Sequence, residues 1–148
     1  MGKDVIIALD FPSADEVVSF LDKFEGEDRK PFVKIGMELF YAAGADIVRE
    51  VKRRGHKVFL DLKLHDIPNT VRRSMAVLSA LDVDMCNLHA GGGIALMQAA
   101  IEGLTPPHGP RPLPIAVTQL PSPREDVLRR PSWLPRPTGE TVMHSPNH

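Results

Sequence analysis

Phe59-Leu60-Asp61-Leu62-Lys63-Leu64-His65-Asp66-Ile67-Pro68-Asn69-Thr70 is the stretch whose reading decides the fold. Val58, Leu60, Leu62 and Leu64 alternate with Phe59, Asp61, Lys63 and His65, which is the period of a pleated strand, where residues two apart share a face. Asp61 and Lys63 therefore stand side by side. The leucine face requires an apolar cover, so the charged face looks into a site and not into a second hydrophobic layer. Pro68 fits the first turn of a helix, where its missing N–H is not needed, and Asp66 falls at the strand-to-helix junction just before it. Three charged groups thus meet at the C-terminal end of one strand. The same residues would also fit an exposed edge strand carrying a surface ion pair worth about 0.2 to 1 kcal/mol, so the choice rests on the neighbouring sequence.

Upstream, Val5 to Asp10 reads as a short strand ending in an acid, and Ser13-Ala14-Asp15-Glu16 is a capping box that opens a helix running to about Phe24. Phe32 to Gly36 makes a second strand with Lys34 as its one charge. A second helix follows from about Glu38 to Arg54, closed by Gly55. Downstream, a third helix begins near Pro68, with Val71, Met75, Leu78 and Leu81 on one face. Val83 to His89 makes the fourth strand, Ile94 to Leu104 the fourth helix, and Leu113 to Gln119 the fifth strand. Strands and helices alternate with a repeat of roughly 25 to 30 residues, the mark of βαβ units around a parallel sheet. Each strand also ends in polar or charged groups: Asp10, Lys34, Asp61 with Lys63, Asn87 with His89, and Thr118 with Gln119. An open doubly wound sheet would fit the alternation. The recurrence of charge inside consecutive strands favours a (β/α)8 barrel, whose strand ends converge on one site at the C-terminal mouth.

A full barrel needs about 200 to 250 residues, and this chain of 148 residues supplies five strands. Eleven of its fourteen prolines lie beyond Thr105, and those after Gln119 interrupt what would be helix. The expected organisation is a partial barrel over residues 1–120 carrying the site and an irregular, proline-rich tail over 121–148, the altered end of a longer enzyme. A net charge of -1 excludes a strongly basic nucleic-acid-binding chain. Val5 to Leu9 is too short for a signal peptide or membrane span, and Cys86 sits in an apolar run that reads as a buried, reduced thiol. A cytoplasmic protein is expected. Gly91-Gly92-Gly93 reads as a tight turn in preference to an anion cradle. His65 and His89 lack metal-ligand spacing and read as structural or site-wall residues.

Asp61, Lys63, Asp66, Ile67, Pro68, Asn69 and Thr70 match the pattern Asp-x-Lys-x-x-Asp-Ile-Pro-Asn-Thr, and with it the chain resembles the orotidine 5'-phosphate decarboxylase family in its bacterial form. Ile7 to Phe11, Val33 to Leu39, Asn87-x-His89-Ala90 and Ala116 to Leu120 join the match in family order. The resemblance implies conversion of orotidine 5'-phosphate (OMP) to UMP and CO2 with no metal and no organic cofactor, in a homodimer whose sites are completed across the interface. It implies catalytic roles for Lys34, Asp61, Lys63 and for Asp66 of the second subunit. Asp10 and Lys34 would hold the ribose hydroxyls, and Thr70, again in trans, would reach the ribose side. The family's pyrimidine-binding hydroxyl falls at Pro121, which leaves Ser122 as the nearest candidate substitute. The family's phosphate grip lies in later strands, so the chain by itself is expected to be inactive. The alternatives are a sugar-phosphate decarboxylase or synthase of the same superfamily, in which these acids would bind Mg²⁺, and a non-catalytic remnant.

Overall fold

The Ser13 side chain accepts from the Glu16 N–H at 3.4 Å, and the first helix starts there, as its sequence signal requires. The computed structural model describes residues 5–118. Within them β1 (Ile6–Ala8), α1 (Ala14–Leu21), β2 (Phe32–Gly36), α2 (Met37–Arg53), β3 (Val58–Leu64), α3 (Pro68–Ala80), β4 (Met85–His89), α4 (Gly93–Leu104) and β5 (Leu113–Val117) follow in strict alternation. A 3-10 turn over Asp22–Phe24 extends α1 to the end expected for it. Pro68 stands at the first position of α3. One departure is α2, which reads as continuous in sequence but is kinked at Gly44, where φ is 66°. The proposed boundary at residue 120 and the tail 121–148 lie outside the described residues.

The five strands pair in parallel in the order β1-β2-β3-β4-β5. That order decides between the two architectures left open by the alternation. A doubly wound sheet reverses its strand order at a switch point, whereas this sheet adds each new strand on the same side, as successive staves of a (β/α) barrel do. Register carries the consequence: Ala8, Lys34 and Phe59 lie side by side, as do Gly36 and Asp61. The alternate positions Val33, Ile35, Val58, Leu60 and Cys86 are buried in one apolar core with Val17, Leu21, Val48, Val51, Met75, Leu96 and Leu104 from the helices. The helices cover one face of the sheet, and Lys34 and Asp61 belong to the other.

The alternation of β3 does not continue unbroken to its end. Leu60 pairs with Cys86 and Leu64 with Leu88, so Asp61, Leu62 and Lys63 all stand opposite the single residue Asn87. This is a bulge, and Lys63 within it takes the left-handed φ of 51°.

Helix packing is set by small residues where backbones approach. A Cβ at Gly103 would lie 2.1 Å from the Arg72 carbonyl oxygen, so α3 and α4 can touch at backbone distance only with glycine there. Ser79 Oγ donates to the Leu104 carbonyl at 3.1 Å across the same contact. Cys86 is fully buried with its Sγ 3.7 Å from Met75 Sδ, and burial pushes its thiol up to about 11, which fits a core residue and not a nucleophile. The glycine run before α4 forms a 3-10 turn over Ala90–Gly92, and Gly93 has φ 79°, so a turn requirement accounts for it. Among the described residues no helix is long and apolar enough to cross a membrane.

Candidate active site

Asp61 is the hub of the polar face. Its Oδ1 accepts from Lys63 Nζ and from Asn87 Nδ2, each at 2.6 Å, and its Oδ2 lies 3.6 Å from Lys34 Nζ. Lys34 also donates to Asp10 Oδ1 at 3.4 Å. Charges therefore alternate in sign from Asp10 through Lys34 and Asp61 to Lys63, across the ends of three adjacent strands. The Asp61 side chain is only 14% exposed, whereas that of Asp10 is 73% exposed and forms the open end of the chain of charges.

Burial pushes the Asp61 carboxyl up, but the hydrogen bonds from Lys63 and Asn87 and the charges of Lys63 and Lys34 outweigh it and hold the group below its ordinary value. Asp61 is thus ionised at neutral pH. Lys63 is held in turn by its backbone, because its N–H donates to Asn87 Oδ1 at 2.7 Å. The left-handed φ at a residue with a long side chain is a strained state, of order 1–3 kcal/mol, which persists only where the surroundings over-determine it. Here the ammonium pair to Asp61 and the backbone bond to Asn87 do so.

His65 follows the end of β3, and His89 is the last residue of β4. Their rings lie 5.1 Å apart, and burial, with the nearby His65 and Lys63, holds His89 below the ordinary histidine value. The pair forms one wall of an open cleft of about 560 Å³, which Lys63, Asp66, Thr70 and Tyr41 also line.

The structure brings together Asp10, Lys34, Asp61 and Lys63 from the residues singled out in the sequence. Asp66 and Thr70 line the same cleft as Lys63 but stand outside the ion-paired array within this chain: both are exposed, Asp66 accepts the N–H of Ile67 at 2.7 Å, and no ion pair joins it to Lys63. Ser122, with Gln119, Leu120 and Pro121, lies outside the described residues. In the sequence Asn87 stands out as a polar strand end and as part of the Asn87-x-His89-Ala90 element, with no role of its own. The signal that could have singled it out is an amide in the middle of a strand whose neighbours Cys86 and Leu88 are apolar. Among the described residues no cluster of three or more His, Cys, Asp or Glu is arranged to hold a metal ion.

Strands wound in sequential order with alternating charges massed at their C-terminal ends define the class: a barrel-type α/β protein with a charged array at its strand ends. The family follows from comparison. Residues 3–142 match the model of the "Orotidine 5'-phosphate decarboxylase / HUMPS family", and the chain belongs to that family. An orotidine 5'-phosphate decarboxylase of Streptococcus pyogenes serotype M3 is 56% identical over 139 residues, covering 94% of this chain and 58% of the relative. One from Bacillus anthracis is 51% identical over 147 residues, covering 97% of this chain and 61% of the relative. The crystal structure of orotidine 5'-phosphate decarboxylase from Lactobacillus acidophilus superposes with a TM-score of 0.87 at 39% identity, over 97% of this chain and 65% of that one. The chain thus spans about three fifths of the length of the curated relatives it matches, and the match continues well into residues 121–148.

Proposed function

We propose that this chain carries the charge-bearing part of an orotidine 5'-phosphate decarboxylase site, a cytoplasmic carboxy-lyase that converts OMP to UMP and CO2 in pyrimidine biosynthesis. The observation that carries the reading is the Lys34–Asp61–Lys63 array, an ionised, mostly buried acid held between two ammonium groups at the C-terminal strand ends. Loss of CO2 from C6 of the pyrimidine leaves a carbanion in the plane of the ring, with no adjacent π system to absorb it. Its barrier falls only if fixed charge is already in place where the negative charge develops. Lys63 supplies that charge and then the proton that C6 takes up. Asp61 faces the substrate carboxylate, which it disfavours relative to neutral CO2. Opposite unit charges about 4 Å apart are worth about 4 kcal/mol at an effective dielectric near 20, enough for Lys34 and Lys63 to keep Asp61 ionised beside an anionic substrate.

Asp10 and Lys34 hold the ribose hydroxyls in this reading, and Ser122 contacts the base. Asp66 and Thr70 act on the site of a second subunit. Their exposure, and the lack of an ion pair between Asp66 and Lys63 in one chain, support this arrangement. A second subunit laid over the cleft beside Tyr41 and Val77, both well exposed, would bring Asp66 toward the partner's array. The chemistry is assigned to side chains, with no metal or organic cofactor taking part. Phosphate contacts distant from the reacting carbon drive closure in enzymes of this kind. The test therefore uses a chimera in which this chain is joined to the segment of the Streptococcus pyogenes relative beyond the matched region. It is expected to release CO2 from OMP at the same rate with and without a chelator. Activity abolished by chelation and restored by Mg²⁺ would replace this reading with the sugar-phosphate branch of the superfamily.

A further inference from the structure

Among the described residues, Asn87 is one of two buried polar side chains, the other being His56. His56 is accounted for by a structural bond, its Nδ1 lying 2.9 Å from the Pro31 carbonyl oxygen. The Asn87 amide instead spends both of its ends on the charged array. Nδ2 donates to Asp61 Oδ1 and Oδ1 accepts from the Lys63 N–H. One planar group therefore touches the acid through its side chain and the proton-donating residue through its backbone.

The bulge explains why a side chain is needed there. Between the Leu60–Cys86 and Leu64–Leu88 pairs, β3 has three residues where β4 has one, so the Lys63 N–H is carried out of the regular ladder. A fully buried N–H without an acceptor costs about 1–3 kcal/mol, and the part-buried N–H of Lys63 would bear a share of that cost. The Asn87 carbonyl supplies the acceptor, and in doing so fixes the left-handed turn of the chain at Lys63. That turn aims the Lys63 ammonium back along β3 onto Asp61, two residues earlier. The amide is held in this flip because its two ends meet groups of fixed character: a backbone donor at Oδ1 and a carboxylate acceptor at Nδ2.

We propose that Asn87 is a positioning residue that sets Asp61 and Lys63 at their working separation, coupling the direction of the acid to the backbone conformation of the lysine. Its importance for turnover rests on the decarboxylase reading above; the coupling itself does not. Lys34, Lys63 and Asp10 are the charged groups around the acid, and His89 lies beyond them at the end of β4.

Two readouts on the full 148-residue chain separate this role from simple core filling: the titration of the Asp61 carboxyl carbon by NMR and the hydrogen exchange of the Lys63 amide. Asn87→Ala removes both bonds, so the Asp61 titration should move up and the Lys63 amide should exchange about five- to tenfold faster, the factor matching one lost hydrogen bond of ordinary net worth. Asn87→Asp keeps an acceptor for the Lys63 N–H and replaces the donor by a like charge. It should move the Asp61 titration up while leaving the Lys63 amide protected. The Val58 amide, bonded to Asp84 at the other end of the strand, reports any global loosening and should stay unchanged. If Asn87→Ala does not fold, the split pattern in Asn87→Asp decides alone. An Asp61 titration unmoved in either folded variant, or equal acceleration of the Val58 and Lys63 amides, would overturn the proposal. A chimera that fails to decarboxylate OMP would sink the functional reading and leave these measurements standing.

Discussion

At the N-terminal end of the sheet, Asp84 Oδ2 accepts from the Val58 N–H and from Lys52 Nζ, both at 2.8 Å, and Lys52 also pairs with Asp82 at 3.5 Å. Nearby, Arg54 donates to Glu50 at 2.7 Å and to Asp22 at 2.6 Å. At the C-terminal end, Asp61 gathers Lys34, Lys63 and Asn87 with similar distances and similar charge. The number of ion pairs does not separate the two ends. What separates them is where the bonds lead. The lower cluster ties helix ends to the starts of strands and satisfies a backbone donor. The upper one ties ionised side chains to one another around a strained residue, opens Lys63 to the cleft, and leaves Lys34 partly and Asp10 largely exposed. Charge that closes on the backbone reads as scaffold, and charge that closes on itself at a strand mouth reads as chemistry.

The sharpest way to break this division is Lys63→Ala in the decarboxylating chimera. Turnover should fall by many orders of magnitude, because the proposed proton donor is gone and Asp61 loses one of its two counter-charges. Retention of even about a tenth of the rate would be incompatible with the role assigned. Mixing that variant with Asp66→Ala should restore part of the activity, since one site of the mixed dimer then holds both intact residues. No recovery under demonstrated subunit exchange would remove Asp66 from the site.

Asp84→Ala addresses the other end. It leaves the Val58 N–H without its acceptor and should lower stability by about 1–3 kcal/mol in denaturant unfolding. Decarboxylation per folded chimera molecule should stay as it was. A loss of activity per folded molecule of about tenfold or more would mean that the lower cluster reaches the site after all.

The smallest effect belongs to Glu50, whose carboxyl is lowered from 4.5 to about 2 by hydrogen bonds from Arg53 and Arg54. A value depressed on folding contributes stability that is present above the unfolded pKa and is lost as the pH falls toward the folded one. The stability difference between the wild-type chain and Glu50→Gln should therefore be constant above about pH 5 and shrink between pH 4.5 and 2. Arg53 is well exposed, so solvent screening keeps the difference small. A difference independent of pH over that interval would show that the three side chains do not act as one cluster.

Most of the fold was legible because it depends on local signals. Ser13, Pro68 and the apolar periodicities mark element ends that tertiary packing does not override, and charge recurring at strand ends points to a barrel. Asp10, Lys34, Asp61 and Lys63 were legible as a group for the same reason. The bulge was not, because alternation in Val58 to His65 looks the same whether or not the partner strand keeps step. Asn87 was assigned no role for a related reason: its meaning comes from lying opposite three residues of β3, a register that no local pattern contains. The kink at Gly44 escaped because one glycine inside a strong helical period reads as tolerated. The Lys52–Asp84 tie joins residues 32 positions apart, and each alone reads as a solvated charge.

The left-handed backbone at Lys63 sets the protein's thermal robustness against the chemistry proposed for it. Glycine is the residue that φ 51° suits best, so Lys63→Gly would relieve strain that Lys63→Ala keeps, while both delete the ammonium paired with Asp61. A search of variants scored on melting temperature alone would thus be drawn to a position to which the proposed function gives a central part. Under the proposed function, Lys63 is a locally unfavourable residue with a chemical use, and the strain falls where the reading places the chemistry.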